Sequence, residues 1–278
     1  MHIIRSTVQG YCPGVRRALE LLESAQSEKL YTFGTLIHNP IIQQTLYSRG
    51  IVPLTLDNLP DLTGATVCIR AHGVAPSVIL ELRARGASIV DATCLRVKQN
   101  QCAALSLSSQ SYCIVLAGDA AHDEIIGLRG YAPQAFIVEH ISDVATIAHQ
   151  LPQKTACIGQ TTLDFKTFEA IAAEIRVYVP QLKVVDSICS ATIARQQALE
   201  CLCSHVDALL IIGGKSSANT VKLLTKARQQ GKTAYLIESA QEIPQEIYHY
   251  ATVGIASGAS TPEYIIDDVE HTLKHTCH

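Results

Sequence analysis

Three cysteines of this 278-residue chain stand in similar surroundings. Cys94 closes "IVDATC" (89–94), Cys189 closes "VVDSIC" (184–189), and Cys12 closes the looser "VQGYC" (8–12), each just ahead of a helix-like segment. A cysteine at the carboxyl end of a strand and the N-terminus of a helix meets unbonded backbone N–H groups and the positive end of the helix dipole. Both favour a thiolate. Cations follow at two of the corners, Arg16 and Arg17 after Cys12 and Arg96 and Lys98 after Cys94. Such sulfurs can bind metal, although a free cysteine is also a common core residue and that reading stays open for the three taken alone. Three thiolates are one short of the usual four of an iron–sulfur cluster. A cluster held by only three would leave one iron open to a substrate, as an open zinc position does.

The other seven cysteines read differently. Cys68, Cys113 and Cys157 lie inside apolar runs and are expected in the core, and Cys102, Cys201 and Cys203, in helical stretches, are expected there too. Cys277, in the terminal "HTCH", is expected to be incidental. "CLCSH" (201–205) invites a zinc reading. Yet Cys-x-Cys on one helix points its thiols about 200° apart, and no second close pair outside the tail completes four ligands.

Polar clusters recur after other apolar runs: "LIHNP" (His38, Asn39), "RAHGV" (His72), "AGDAAHDE" (His122, Glu124), "GQTTL" (Thr161), "GGKSSANT" (Ser217, Asn219) and "SGASTPE" (Ser260). Any one of these could be a helix cap or a turn. Together they offer many donors and no apolar slot, which suits a phosphorylated ligand. "IIGGKSS" is not a phosphate-binding P-loop, because its first glycine would be Leu209, and no G-x-G-x-x-G follows a strand.

The elements that must position these groups are short apolar runs: 67–69, 112–116, 135–138, 155–158, 208–212, 234–237 and 252–256. Amphipathic stretches separate them. In 13–25, Val15, Ala18, Leu19 and Leu22 form one stripe behind a first-turn Pro13. Apolar strands alternating with helices predict an α/β protein with mainly parallel sheets. The cysteine spacing divides the chain into three α/β units, 13–94, 95–188 and 189–278, with 1–12 joining the centre. If the units pack about a pseudo-threefold axis, their strand ends converge and so could the thiols. Hydrophobic residues make up 47% and charged residues 17%, as in a globular protein. A net charge of −3 without a basic run, and the absence of Trp, exclude a nucleic-acid footprint. No apolar run reaches the roughly 18 residues of a membrane helix and no signal peptide stands at the start, so a cytoplasmic protein is expected. Ten cysteines in a reducing compartment are then unlike a disulfide framework.

In order, "GYCPGV", "LIHN", "AHGV", "DATC", "H-x-E", "QTT", "CSAT-x-x-RQ", "GGKSSANT" and "GASTPE" resemble the 4-hydroxy-3-methylbut-2-enyl diphosphate reductase family across essentially the whole chain. The resemblance implies a trefoil of three α/β units around a central cavity. It also implies a 4Fe-4S cluster with one open iron, isolable as 3Fe-4S, on Cys12, Cys94 and Cys189. The substrate's diphosphate would bind His38, His72, His122, Ser217, Asn219 and Ser260. Glu124 would deliver a proton and Thr161 would hold the substrate and proton network. The implied reaction removes the allylic hydroxyl as water and yields isopentenyl and dimethylallyl diphosphate, the last step of the methylerythritol phosphate route. Reduced ferredoxin or flavodoxin is the implied electron donor. Hydroxide leaves poorly, so a Lewis acid and a proton donor suit this chemistry. A carboxyl beside so much negative charge is expected to keep its proton more readily, which suits Glu124.

The chain departs from the family pattern at three places: Asp123 and Leu95 stand where proline is usual, and Ala218 replaces the second of two adjacent serines. A hydroxyl lost from a diphosphate cradle costs about 1–3 kcal/mol if its partner stays unpaired. Two other readings therefore remain at this level. One is a non-catalytic or paralogous iron–sulfur sensor or electron carrier on the same fold; the other is a zinc-dependent hydrolase using "CLCSH".

Overall fold

A computed structural model describes residues 1–276, so Cys277 lies outside the described residues. In chain order the elements are β1 (His2–Arg5), α1 (Pro13–Ser24), β2 (Leu30–Phe33), α2 (Pro40–Ser48), β3 (Val52–Leu54), β4 (Thr66–Ile69), α3 (Pro76–Ala84) and β5 (Ser88–Asp91). There follow α4 (Leu95–Ser109), β6 (Cys113–Ala117), α5 (Asp123–Arg129), β7 (Phe136–Val138), α6 (Ile141–Ile147), β8 (Thr155–Gly159), α7 (Phe165–Tyr178) and β9 (Lys183–Val184). The last are α8 (Ser190–Cys203), β10 (Ala208–Ile212), α9 (Ala218–Gln229), β11 (Thr233–Ile237), β12 (Thr252–Ser257) and α10 (Glu263–Thr276).

The strands form three four-stranded sheets, ordered β1-β12-β10-β11, β3-β2-β4-β5 and β7-β6-β8-β9. Every pairing is parallel. The expected α/β class with parallel sheets is what the chain adopts. The apolar run 208–212 shows why: as β10 it is central in its sheet and buried along its whole length. Alternate residues feed opposite faces. Leu210 and Ile212 pack with Val253, Ile255 and Ile266 on one side, while Leu209 and Ile211 pack with Leu202, Leu223 and Ala256 on the other. A strand covered on both faces has no position left for a polar side chain, so it reads as a continuous apolar run.

Contacts group the chain into two compact units. Met1–Arg16, Ile37–Thr45 and Ser190–His278 form the first, and Arg17–Leu36 with Leu46–Cys189 the second. The first contains the β1-β12-β10-β11 sheet; the second contains the other two sheets, each with its own core. Val15, Ala18 and Leu22 are buried along α1 as the stripe predicts, with Leu19 half-buried. No helix among the described residues is long and apolar enough to cross a membrane.

Two expectations need correction. "VQGYC" is not a strand: β1 ends at Arg5, and residues 6–12 form a loop with Gly10 in the left-handed region at φ 68°. The ladder stops at Arg5 and Ile255 although the neighbouring β12 runs on to Ser257, and the left-handed Gly10 turns the chain out of an extended course. Cys102 and Cys201 are exposed rather than buried, because the apolar stripes of α4 and α8 run through other positions, and Cys113, the first residue of β6, is only half-buried. Cys203 is buried and Cys201 exposed on the same helix, so the two thiols of "CLC" face apart.

Burial pushes the Cys68 and Cys157 thiols up to about 12. At pH 8 both are therefore protonated as well as inaccessible. Iodoacetamide added to the native protein is expected to label Cys102 and Cys201 and to spare Cys68 and Cys157 until a denaturant is added. Mass spectrometry of the peptides checks this, and labelling of Cys157 in the native protein would contradict the packing.

Candidate active site

The residues that could do chemistry lie in the loops that leave the strands and in the first turns of the helices that follow. Cys94 is the N-cap of α4, and Cys12 and Cys189 each directly precede a helix, α1 and α8. None of the three is in a disulfide, and all are half-buried. One backbone bond repeats at each corner. Cys94 N–H donates to Ala71 O at 2.9 Å, Cys189 N–H to Thr161 O at 2.9 Å and Cys12 N–H to Ala259 O at 3.0 Å. In every case the acceptor belongs to the loop that follows the neighbouring strand of the same sheet, β4, β8 or β12. The ladder is thus extended by one bond beyond its strands, which holds each cysteine at the edge of its sheet. Val15 N–H, in the first turn of α1, donates to Cys12 Sγ at 3.5 Å, a contact that favours negative charge on sulfur.

In the second unit this pattern continues into side chains. Glu124 is buried at 1% exposure, and its Oε1 accepts the Thr161 backbone N–H at 2.7 Å. The Thr161 hydroxyl lies 2.7 Å from Oε2. Thr161 in turn carries the carbonyl that holds Cys189, so carboxyl, hydroxyl and thiol residue form one connected chain. His122 is the N-cap of α5 and its Nδ1 accepts from Glu124 N–H at 3.1 Å. That assignment puts the ring proton on Nε2. The His122 ring meets that of His72 edge to face, with centroids 5.3 Å apart. His72 follows Ala71, the residue that holds Cys94. The structure therefore brings His72, Cys94, His122, Glu124, Thr161 and Cys189 into one network within the second unit.

The remaining expected residues assemble in the first unit. Ser260 directly follows Ala259, the residue that holds Cys12, and its hydroxyl donates to His38 O at 3.0 Å. Asn39 Nδ2 donates back to Ser260 O at 3.0 Å. Gly214 must be glycine here, since a Cβ would lie 2.6 Å from His38 O. Ser217, the N-cap of α9, does not spend its hydroxyl on the cap. Asn219 is buried and its Nδ2 has no hydrogen-bond partner among the described residues. An unsatisfied amide donor in the first turn of a helix is a feature an anion would complete.

The three departures from the family pattern share one position, the first residue of a helix: Leu95 in α4, Asp123 in α5 and Ala218 in α9. Proline is favoured there because its missing N–H is not needed. Aspartate is favoured by the helix dipole instead, and Asp123 also meets Arg70 in an ion pair at 2.8 Å. Arg70 precedes Ala71 and is largely buried, which lowers its pKa below the usual arginine value, with Asp123 opposing that shift. The pair ties the loop of His72 to the first turn that carries Glu124. Neither Arg70 nor Arg195 was assigned a role from sequence. Arg195 had a legible signal, since it falls on the buried stripe of α8 with Thr192, Gln196, Leu199 and Leu202.

Replacing Asp123 by asparagine is expected to cost about 1–3 kcal/mol, because a half-buried guanidinium loses its counter-ion. A lower urea midpoint at unchanged slope would show it, and an unaltered midpoint would show the pair to be idle.

Comparison with known proteins shows the family to which the chain belongs. A family model described as LytB protein matches residues 3–274. A 4-hydroxy-3-methylbut-2-enyl diphosphate reductase of Treponema denticola is 42% identical, covering 98% of this chain and 99% of that one. One of Aquifex aeolicus is 35% identical, covering 99% and 96%. A solved (E)-4-hydroxy-3-methyl-but-2-enyl diphosphate reductase, described as the terminal enzyme of the non-mevalonate pathway, superposes with a TM-score of 0.70 at 34% identity over 99% of each chain. An E-1-hydroxy-2-methyl-but-2-enyl-4-diphosphate reductase from Plasmodium falciparum gives 0.88 at 25% identity, covering 97% of this chain and 87% of that one.

Proposed function

The chain belongs to the LytB protein family, and on that premise we propose that it is the iron–sulfur enzyme that reductively dehydroxylates 4-hydroxy-3-methylbut-2-enyl diphosphate. Oxidoreductase activity follows from the family. The rest of the reading is supported by the residues. Its main support is the buried linkage from Glu124 through Thr161 to Cys189, which ties an acid to a candidate cluster ligand by hydrogen bonds of 2.7 to 2.9 Å.

Cys12, Cys94 and Cys189 would hold the cluster. The donor set fits: three cysteines outside any disulfide precede helix first turns, and one sulfur already accepts a helix N–H. A bound 4Fe-4S cluster with one open iron would supply electrons and a Lewis acid at the substrate hydroxyl. His38, His72, His122, Ser217, Asn219 and Ser260 would take the diphosphate. In this role the Nε2–H of His122 and the unsatisfied Nδ2 of Asn219 act as donors to phosphate oxygen. Ala218 leaves one hydroxyl fewer than is usual at the start of α9, where backbone N–H groups of the first turn remain available.

Glu124 would supply the proton that lets the hydroxyl leave as water. Its Oε2 shares a hydrogen bond with Thr161 Oγ1, so the threonine hydroxyl can pass that proton on and stay bonded to the carboxylate left behind. The products would be isopentenyl and dimethylallyl diphosphate, formed with two electrons from reduced ferredoxin or flavodoxin in the cytoplasm and a second proton taken up at an allylic carbon.

Mössbauer spectra of iron-57-labelled protein, prepared without oxygen, test the reading. One distinct iron whose signal moves when the hydroxy-allyl diphosphate is added would support it. A cluster that ignores the diphosphate would favour a sensor or electron carrier on the same fold, and zinc without sulfide would favour the hydrolase. Glu124→Gln is expected to keep full iron and sulfide content while lowering turnover about 10²–10⁴-fold; intact turnover would remove Glu124 from this role.

A further inference from the structure

Arg195 is buried at 3% exposure inside the first unit, yet it has no carboxylate partner among the described residues. All its acceptors are neutral. Nη1 donates to Ser257 O at 2.8 Å, with Val8 O and Ser257 Oγ farther away at 3.4 Å, and Nη2 donates to Gly10 O at 2.9 Å. Nε is buried with no hydrogen-bond partner among the described residues. A guanidinium removed from water without a counter-ion is costly, and neutral carbonyls compensate only in part. Burial accordingly lowers its pKa from the usual arginine value, and the one group opposing that shift is Cys12. Glu263, the carboxylate nearest Gly10, is not among the hydrogen-bond acceptors of Arg195.

The backbone explains the proximity to Cys12. Arg195 grips Gly10 O, Gly10 N–H donates to Ser257 Oγ at 3.1 Å, and Cys12 N–H donates to Ala259 O at 3.0 Å. The loop that delivers Cys12 is therefore strapped to the end of β12 by this side chain. A rigid strap needs only hydrogen bonds, which a neutral amide also provides. A full charge at this position calls for a negative charge opposite it.

We propose that Arg195 is the fixed counter-charge of the Cys12 sulfur and of the iron–sulfur cluster that sulfur would carry, and that it sets the cluster's reduction potential. The inference rests on the cluster reading above. Reduction adds negative charge to the cluster, and a buried cation that cannot move away stabilises that added electron. Arg195 thus raises the potential, making the cluster easier to reduce. It acts as a positioning and electrostatic residue, with no proton transferred.

The experiment compares the full chain with R195Q, which keeps donors and loses the charge, and R195K, which keeps the charge and loses the planar fork. Each is reconstituted with iron and sulfide without oxygen, analysed for both, and titrated redox-wise with electron paramagnetic resonance as the readout. R195Q is expected to shift the reduction equilibrium at least tenfold against reduction, which is about 59 mV for a one-electron couple; R195K is expected to stay within that margin of the wild type. Equal potentials in all three proteins, or equal shifts in both variants, would overturn the proposal while leaving the cluster reading intact. Wild-type protein that takes up no iron and sulfide would sink both. Where circular dichroism shows R195Q unfolded, R195K decides: a potential near that of the wild type supports the proposal and a tenfold shift overturns it.

Discussion

Parallel pairing is the constraint on which the rest of this protein depends. When all four strands of a sheet run one way, their carboxyl ends and the helix N-termini that follow gather along one edge. In the second unit that rule brings the loops after β4, β5, β6, β8 and β9 together, and with them His72, Cys94, His122, Glu124, Thr161 and Cys189. In the first unit it gathers the loops after β1, β10 and β12, carrying Cys12, Ser217, Asn219 and Ser260. The backbone bond from each cysteine to the loop of the adjacent strand is the direct result. It is made by main-chain atoms, so it asks little of the side chains nearby.

Buried charge is handled in two ways around these edges. Glu124 is bonded at both carboxyl oxygens by a single residue, and Arg70 meets Asp123. Each thus has a partner that lowers the cost of leaving water. Arg195 meets only neutral acceptors. That difference separates Arg70, whose charge is paired, from Arg195, whose buried charge meets no carboxylate among the described residues.

The fold class and the candidate residues were legible because they depend on local rules. Apolar runs of three to five residues read as buried strands when amphipathic stretches separate them, and 208–212 and 252–256 became β10 and β12 nearly residue for residue. The first-turn Pro13 marked the start of α1. Cysteines preceding helices could be read from the same alternation. The strand expected at 8–12 could not be judged that way, since where a chain leaves its ladder depends on what it packs against, here the Gly10 turn held by Ser257 and Arg195. Cys102 and Cys201 were misplaced for a related reason. A helix tells which residues share a stripe, but the stripe that is buried depends on what packs against it.

The sequence by itself determined the alternation of strands and helices, the parallel sheets that follow from it, and the positions of thiols, imidazoles and hydroxyls at strand ends. These are set by periodicity and by backbone preferences within a few residues. Only the tertiary structure decided that Thr161 bonds both oxygens of Glu124, that Asp123 pairs with Arg70, and that Arg195 lies buried against Gly10 and Ser257. These contacts join residues 37 to 185 positions apart along the chain. Spacing along the chain carries no information about which distant partner a buried polar group will meet, because that depends on how whole elements pack.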